Sequence, residues 1–92
     1  MPKLTFTNSY EKKATKFIRK HPELKSQYKK TLQLLEINPK HPSLRLHKLE
    51  GKLAELHSVS INTSYRISLE FVITDDEIIP VNVGDHNEVY GK

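Results

Sequence analysis

The 92-residue sequence predicts an α+β fold in the order β-α-α-β-β-β, an antiparallel sheet with a helical hairpin packed on one face. Three observations predict it. Apolar residues recur at helical spacing through the first half of the chain, then at every second position through the second half. Between the two regimes stand Asn38-Pro39 and His41-Pro42, dipeptides that stop a helix. A chain of this length forms one core, so residues 1–92 are expected to be a single domain.

The first element is a short strand from Lys3 to Thr7, with Leu4 and Phe6 on one side. Asn8, with Glu11 three residues later, fits a capping box, and Tyr10, Ala14, Phe17 and Ile18 then mark the buried face of an amphipathic helix. His21, Pro22 and Glu23 end that helix and begin another, because proline suits the first helical position and an acid suits the N-terminal dipole. Leu24, Tyr28, Leu32 and Leu35 line its buried side, and the stretch from Asn38 to Gly51 reads as a loop.

In the second half, Leu53 to Ile61 reads as a strand and Asn62-Thr63 as a turn. Tyr65, Ile67, Leu69, Phe71 and Ile73 alternate with Arg66, Ser68 and Glu70 in the clearest strand of the chain. After a turn from Thr74 to Glu77, Ile78 to Gly84 forms the last strand, where Pro80 requires an edge or a bulge because it has no N–H for a ladder. Asp85 to Tyr90 reads as a short tail. With the helices on one side of the sheet, Arg66 is expected on the open side.

Charge divides as sharply as periodicity. Residues 1–52 carry thirteen Lys and Arg against four Asp and Glu, and residues 53–92 carry two against seven. Such a basic half attracts polyphosphate or an acidic protein, and Lys12, Lys13, Lys16, Lys29, Arg45, Lys48 and Lys52 are its candidate contacts with RNA or a ribosomal surface. The absence of cysteine excludes disulfides and thiolate chemistry, and the five histidines are scattered without metal-ligand spacing, so no metal site is predicted. No apolar run approaches the ~20 residues that cross a bilayer, so a cytoplasmic protein without membrane contact is expected.

No glycine-rich phosphate loop, zinc-protease helix or nucleophile elbow is present. The residues left to carry chemistry are single ones. Arg66 is either a solvated strand arginine or a clamp on a phosphate. His47 and His86 are either surface groups or proton carriers, since imidazole titrates near neutrality. Tyr90 either plugs the tail onto the sheet or offers a platform on which a base stacks. His21 and His41 precede prolines and are read as turn residues, and His57 as a flank of its strand.

The order of elements, the segments Leu46 to Gly51 and Ser64 to Ile67, and above all the ending Gly84-Asp85-His86-Asn87-Glu88-Val89-Tyr90 together resemble the RelE/ParE toxin superfamily, within it the YafQ-like branch of mRNA-cleaving toxins. The resemblance spans nearly the whole chain. It implies a RelE-like fold and a ribosome-dependent endoribonuclease that cuts mRNA on the 70S ribosome, restrained by a cognate antitoxin, with no small-molecule cofactor. It places catalytic roles on His47, Arg66, His86 and Tyr90. Ser60 and Ser64 stand where that branch has a further histidine and an aspartate, and Asn82 where many relatives have another arginine. A ParE-like toxin acting on DNA gyrase without cleavage, or a module docking an acidic partner, are the alternatives.

Overall fold

The computed structural model describes residues 2–51, 55–72 and 75–90. Its elements are β1 (Lys3–Leu4), α1 (Asn8–Lys20), α2 (Lys25–Ile37), β2 (His47–Lys48), β3 (His57–Ser60), β4 (Tyr65–Val72), β5 (Glu77–Asp85) and α3 (His86–Val89). Short 3-10 turns at Pro22–Leu24 and Pro42–Leu44 follow each long helix. The strands form one sheet in the order β1-β5-β4-β3-β2. The α+β class and the helical hairpin on one face are as the sequence predicts. The pairing is antiparallel from β2 through β5, and β1 joins β5 in parallel, which makes the sheet mixed.

Several local expectations are corrected. The cap of α1 is Thr7, whose hydroxyl accepts from the Tyr10 N–H at 3.0 Å, so Asn8 is already helical and no Asn8–Glu11 box forms. Both residues are competent caps. With Thr7 in that role, Tyr10 is carried straight into the core. The segment expected as loop contains β2, because His47 and Lys48 extend the ladder of β3. Described strand residues of β3 begin at His57, with Glu55 in a turn; Leu53 and Ala54 of the expected strand, and Ile73 and Thr74 of the next strand and turn, lie outside the described residues. The tail is a helical turn, α3, which packs against β4 and β5.

Pro80 sits in β5 between two neighbouring strands, and the ladder tolerates it through a bulge. Ser68 pairs with Asn82 while the next residue, Leu69, pairs with Pro80, so Val81 is the extra residue.

The alternation of β4 sorts the sheet into two faces. Val59, Ile67, Leu69, Ile78 and Val83 are buried with Tyr10 and Phe17 of α1 and with Leu24, Tyr28 and Leu35 around α2. His21 caps the end of α1, and its ring lies 5.0 Å from that of Phe17 and 4.8 Å from that of Tyr65. His41 accepts from the Ser43 N–H and so fixes the second 3-10 turn. Both therefore have the turn roles expected of them.

Inside this core the Tyr10 and Tyr28 hydroxyls bond to each other at 2.8 Å. Burial raises the pKa of both phenols, in Tyr28 against the lowering effect of the shared hydrogen bond. His57, edge-on to Phe71 at 5.0 Å, has its pKa lowered by burial first and then by Lys48 and His47.

The signs give two opposite limits. The neutral tyrosine pair contributes fully below the ordinary phenol value of 10.0, and that contribution declines as pH rises above it toward the folded-state values. Neutral His57 contributes above 6.5 and its contribution is lost as pH falls below it. Urea midpoints measured across pH should fall in the acid limb less steeply for His57→Gln than for the parent chain. In the alkaline limb the midpoints should fall less steeply for Tyr10→Phe than for the parent chain.

Candidate functional site

On the open face, cross-strand pairing makes two rows. His47, Ser58, Ser68 and Asn82 form the first, each paired with the next across β2, β3, β4 and β5. Ser60, Arg66 and Gly84 form the second. The rows are two residues apart along the strands, or about 7 Å. Small side chains at the middle of the first row leave space above it, and α3 fills that space. Ser58 and Ser68 are almost fully buried, and Val89 of α3 is buried with them.

What aims α3 is the end of β5. The Asp85 carboxylate accepts from the Glu88 N–H and the Glu88 carboxylate accepts from the Asp85 N–H, both at 2.9 Å, a closed capping box. The Asn82 amide donates to the Glu88 carbonyl at 2.9 Å and ties the turn back onto β5. Gly84 is required beneath it, because a Cβ there would lie 2.9 Å from the Glu88 Cβ. Asp85 and Glu88, the two acids nearest His86, are thus engaged in holding the helix.

The spacing of four between His86 and Tyr90 then becomes one helical turn, closed by the Tyr90 N–H on the His86 carbonyl at 2.9 Å. Their rings meet edge-to-face at 4.1 Å. The far end of Tyr90 reaches the first row: its hydroxyl lies 3.3 Å from His47 Nε2 and 3.1 Å from Ser58 Oγ, and Ser58 Oγ lies 3.5 Å from His47 Nε2. Tyr90 therefore stands between two imidazoles.

The other nitrogen of His47 fixes its tautomer. Nδ1 is 3.2 Å from the Arg45 carbonyl, which can only accept, so Nδ1 carries a proton, and in the neutral ring Nε2 then presents a lone pair. Arg45 offers that carbonyl from a left-handed backbone turn, at φ 50 and ψ 46. A neutral imidazole with a free Nε2 lone pair can take a proton, and a second imidazole across the same tyrosine can give one.

The structure brings together three of the four predicted catalytic residues, His47, His86 and Tyr90. Arg66 stands in the neighbouring row, where Nη1 donates to Ser60 Oγ at 3.3 Å and Nε is buried with no partner among the described residues. It shares a groove of about 220 Å³ with Arg45, Ser43, Ser60, Asn62 and Thr63, and no acid lines that groove. Lys48 borders a second groove, of about 320 Å³, with His47 and Tyr90. Of the predicted RNA contacts, Arg45 and Lys48 thus flank the site. Lys12 and Lys29 belong to the helical layer, Lys13 and Lys16 of that layer border a groove of about 390 Å³ with Asn82 and Glu88 beside α3, and Lys52 lies outside the described residues.

Ser60 meets Arg66, and the exposed Ser64 donates its N–H to the Asn62 side chain in the turn before β4. Neither touches the imidazoles. The residue that sequence reading passes over is Ser58. No local sequence signal marks it, because the pairing with Ser68 that leaves a gap on this face is set by register. Among the described residues no three His, Cys, Asp or Glu side chains gather to hold a metal ion.

Fold and site define a class, an α+β protein with a helix-backed mixed sheet and two histidines about one tyrosine on its open face. The fold is that of the solved YafQ and YoeB/ParE toxins. Similar solved structures include YafQ of E. coli, free (15% identity, 99% of this chain and 100% of that one, TM-score 0.78) and in the DinJ–YafQ complex (14%, 99% and 100%, TM-score 0.76). A copper-bound toxin variant from Helicobacter pylori is 25% identical over 97% of this chain and 99% of its own, with a TM-score of 0.71. The YoeB/ParE toxin of Agrobacterium tumefaciens is 15% identical over 91% and 98%, with a TM-score of 0.72. No protein-family model and no curated protein matches the sequence.

Replacing Gly84 by Ala should push Glu88 away and unseat α3. The chain should still fold, while the ring-current shifts between His86 and Tyr90 in its NMR spectrum collapse; retention of those shifts would show that the glycine is dispensable.

Proposed function

We propose that this chain is the toxin of a type II toxin–antitoxin system, one RelE-like domain that cuts mRNA on the 70S ribosome in the cytoplasm. The observation that carries the proposal is the placing of His47 and His86 on either side of Tyr90. The named relatives support the coarser part: YafQ is crystallised as a toxin–antitoxin complex with DinJ, and the Helicobacter and Agrobacterium proteins are described as toxins. A cognate antitoxin is accordingly the protein partner proposed here.

Cleavage of RNA needs no external nucleophile. The ribose 2′-oxygen bonds to its own phosphorus and the bond to the 5′-oxygen breaks, leaving a 2′,3′-cyclic phosphate and a 5′-hydroxyl. In this scheme the His47 Nε2 lone pair takes the 2′-proton, exchanging its Tyr90 donor for the substrate hydroxyl. His86 delivers a proton to the departing 5′-oxygen. Arg66, whose guanidinium is only partly engaged, holds the charge on the phosphate oxygens, and the Tyr90 ring orders the nucleotide between the two imidazoles. The ribosome presents the message in a fixed geometry and supplies orientation that a shallow open groove does not.

The lysines of α1 and α2 are best read as electrostatic contacts with ribosomal RNA or with the antitoxin, Lys13 and Lys16 bordering the groove that reaches Asn82 and Glu88. Reversing charge at Lys12 and Lys29 should weaken ribosome association and make it less salt-dependent, with little effect on the cutting step once bound.

Primer extension on a defined message in 70S ribosomes tests the proposal. The parent chain should leave cuts aligned with the decoding site. His47→Ala and His86→Ala should each slow them by about two to four orders of magnitude. A loss under tenfold removes that histidine from its role, and a toxic parent chain that makes no cuts favours action on gyrase.

A further inference from the structure

We propose that Ser58 is a positioning residue for His47 and Tyr90, a buried hydroxyl that accepts the Tyr90 hydrogen bond whenever His47 Nε2 is engaged elsewhere. This rests on the nuclease reading above for its purpose, and on the geometry for its mechanism. Ser58 is fully buried in β3, in the row that runs from His47 to Asn82. It touches no position that the substrate has been assigned.

His47 Nδ1–H donates to the Arg45 carbonyl, so the only open position on that ring is the Nε2 lone pair. Two hydroxyls face it, Tyr90 at 3.3 Å and Ser58 at 3.5 Å, and they face each other at 3.1 Å. With His47 neutral, the shorter contacts give one directed chain, in which Ser58 O–H donates to the Tyr90 oxygen and Tyr90 O–H donates to Nε2.

When Nε2 binds a substrate hydroxyl or has taken its proton, Tyr90 can no longer donate there. Without an acceptor inside the protein the Tyr90 hydroxyl turns to solvent, and the ring loses its anchor on β3. Ser58 supplies the acceptor: Tyr90 O–H rotates onto Ser58 Oγ, and the ring stays where it was. Both directions of the chain use the same three atoms, so the site passes between its two protonation states without moving Tyr90 from its contact with the His86 ring at 4.1 Å.

The groups around His47 do not offer a substitute. On its own strand Lys48 is a donor only, across the ladder His57 packs on Phe71, and Glu50, which lines the same groove, makes no hydrogen bond to His47 or Tyr90 among the described residues. An alanine or a valine would suit the burial of position 58 as well as serine, but neither could accept.

Imidazole nitrogen NMR on the folded chain reads the mechanism without relying on cleavage. In the parent, His47 Nε2 should show the shift of a hydrogen-bonded, unprotonated nitrogen. Ser58→Ala should move it toward the value of Tyr90→Phe, with the double variant moving it no further. In single-turnover cutting, Ser58→Ala should lose about tenfold, the worth of one hydrogen bond, with binding to the ribosome unchanged and no added loss on the Tyr90→Phe background.

Should Ser58→Ala disturb the sheet amides, Ser58→Cys, a weaker hydrogen-bonding partner of similar shape, is expected to give the same His47 change. A His47 signal indifferent to both substitutions overturns the proposal, as do rate losses that multiply independently with Tyr90→Phe. A parent chain that does not cut RNA while its His47 signal responds to Ser58 overturns the catalytic purpose through the nuclease reading, and the unchanged NMR response identifies which of the two failed.

Discussion

Everything at the site depends on how the chain turns at the end of β5. A reciprocal pair of hydrogen bonds between Asp85 and Glu88 closes the first turn of α3, and Gly84 alone permits Glu88 to lie so close to the strand. The turn places His86 and Tyr90 one above the other and sends Tyr90 back across the sheet. Without it His86 would be a surface histidine beyond a strand, and His47 would face solvent from the edge of a two-residue ladder. The acids that a sequence search might offer as catalytic bases are occupied in making this turn.

The second requirement is a place for Tyr90 to land. The buried face of the sheet is filled by Val59, Ile67 and Leu69 against the two long helices, as alternation dictates. On the other face Ser58 and Ser68 sit directly opposite each other and are as deeply buried as the core, although they are small and polar. Their burial comes from α3 lying over them. The same sheet thus has a core on both sides at its centre, a large one made by α1 and α2 and a small one made by a single helical turn. His57 and Arg66 at the margins and Ser68 at the centre keep polar atoms that no described residue satisfies.

Much of this was legible in the sequence because it obeys short-range rules. The change of period from 3.6 to 2 located both helices and the long strands, and of the edge or bulge that proline at position 80 required, the structure has the bulge. The spacing from Gly84 to Tyr90 pointed to the site. What escaped was whatever depends on contacts distant in sequence. β2 is too short to have a period, and exists only because β3 offers it a ladder. The parallel pairing of β1 follows from where α1 returns the chain, which no local pattern encodes. Thr7 and Asn8 are equally good caps on paper, and the burial of Tyr10 distinguishes them only in three dimensions. Ser58 reads as an ordinary strand residue until Tyr90 is seen to reach it. Arg66 was expected beside the histidines, whereas register puts it one row away, with Arg45.

The central claim is that two imidazoles about Tyr90 move the protons of an attack by the ribose 2′-oxygen. The most direct test replaces that oxygen. A message carrying a single 2′-deoxynucleotide at the cut position, bound in 70S ribosomes, should be spared there by the parent chain, while the all-ribose message yields a cyclic phosphate on one fragment and a 5′-hydroxyl on the other. Cutting of the deoxy-substituted message, with a 5′-phosphate on the product, would mean that water is the nucleophile and would contradict the account.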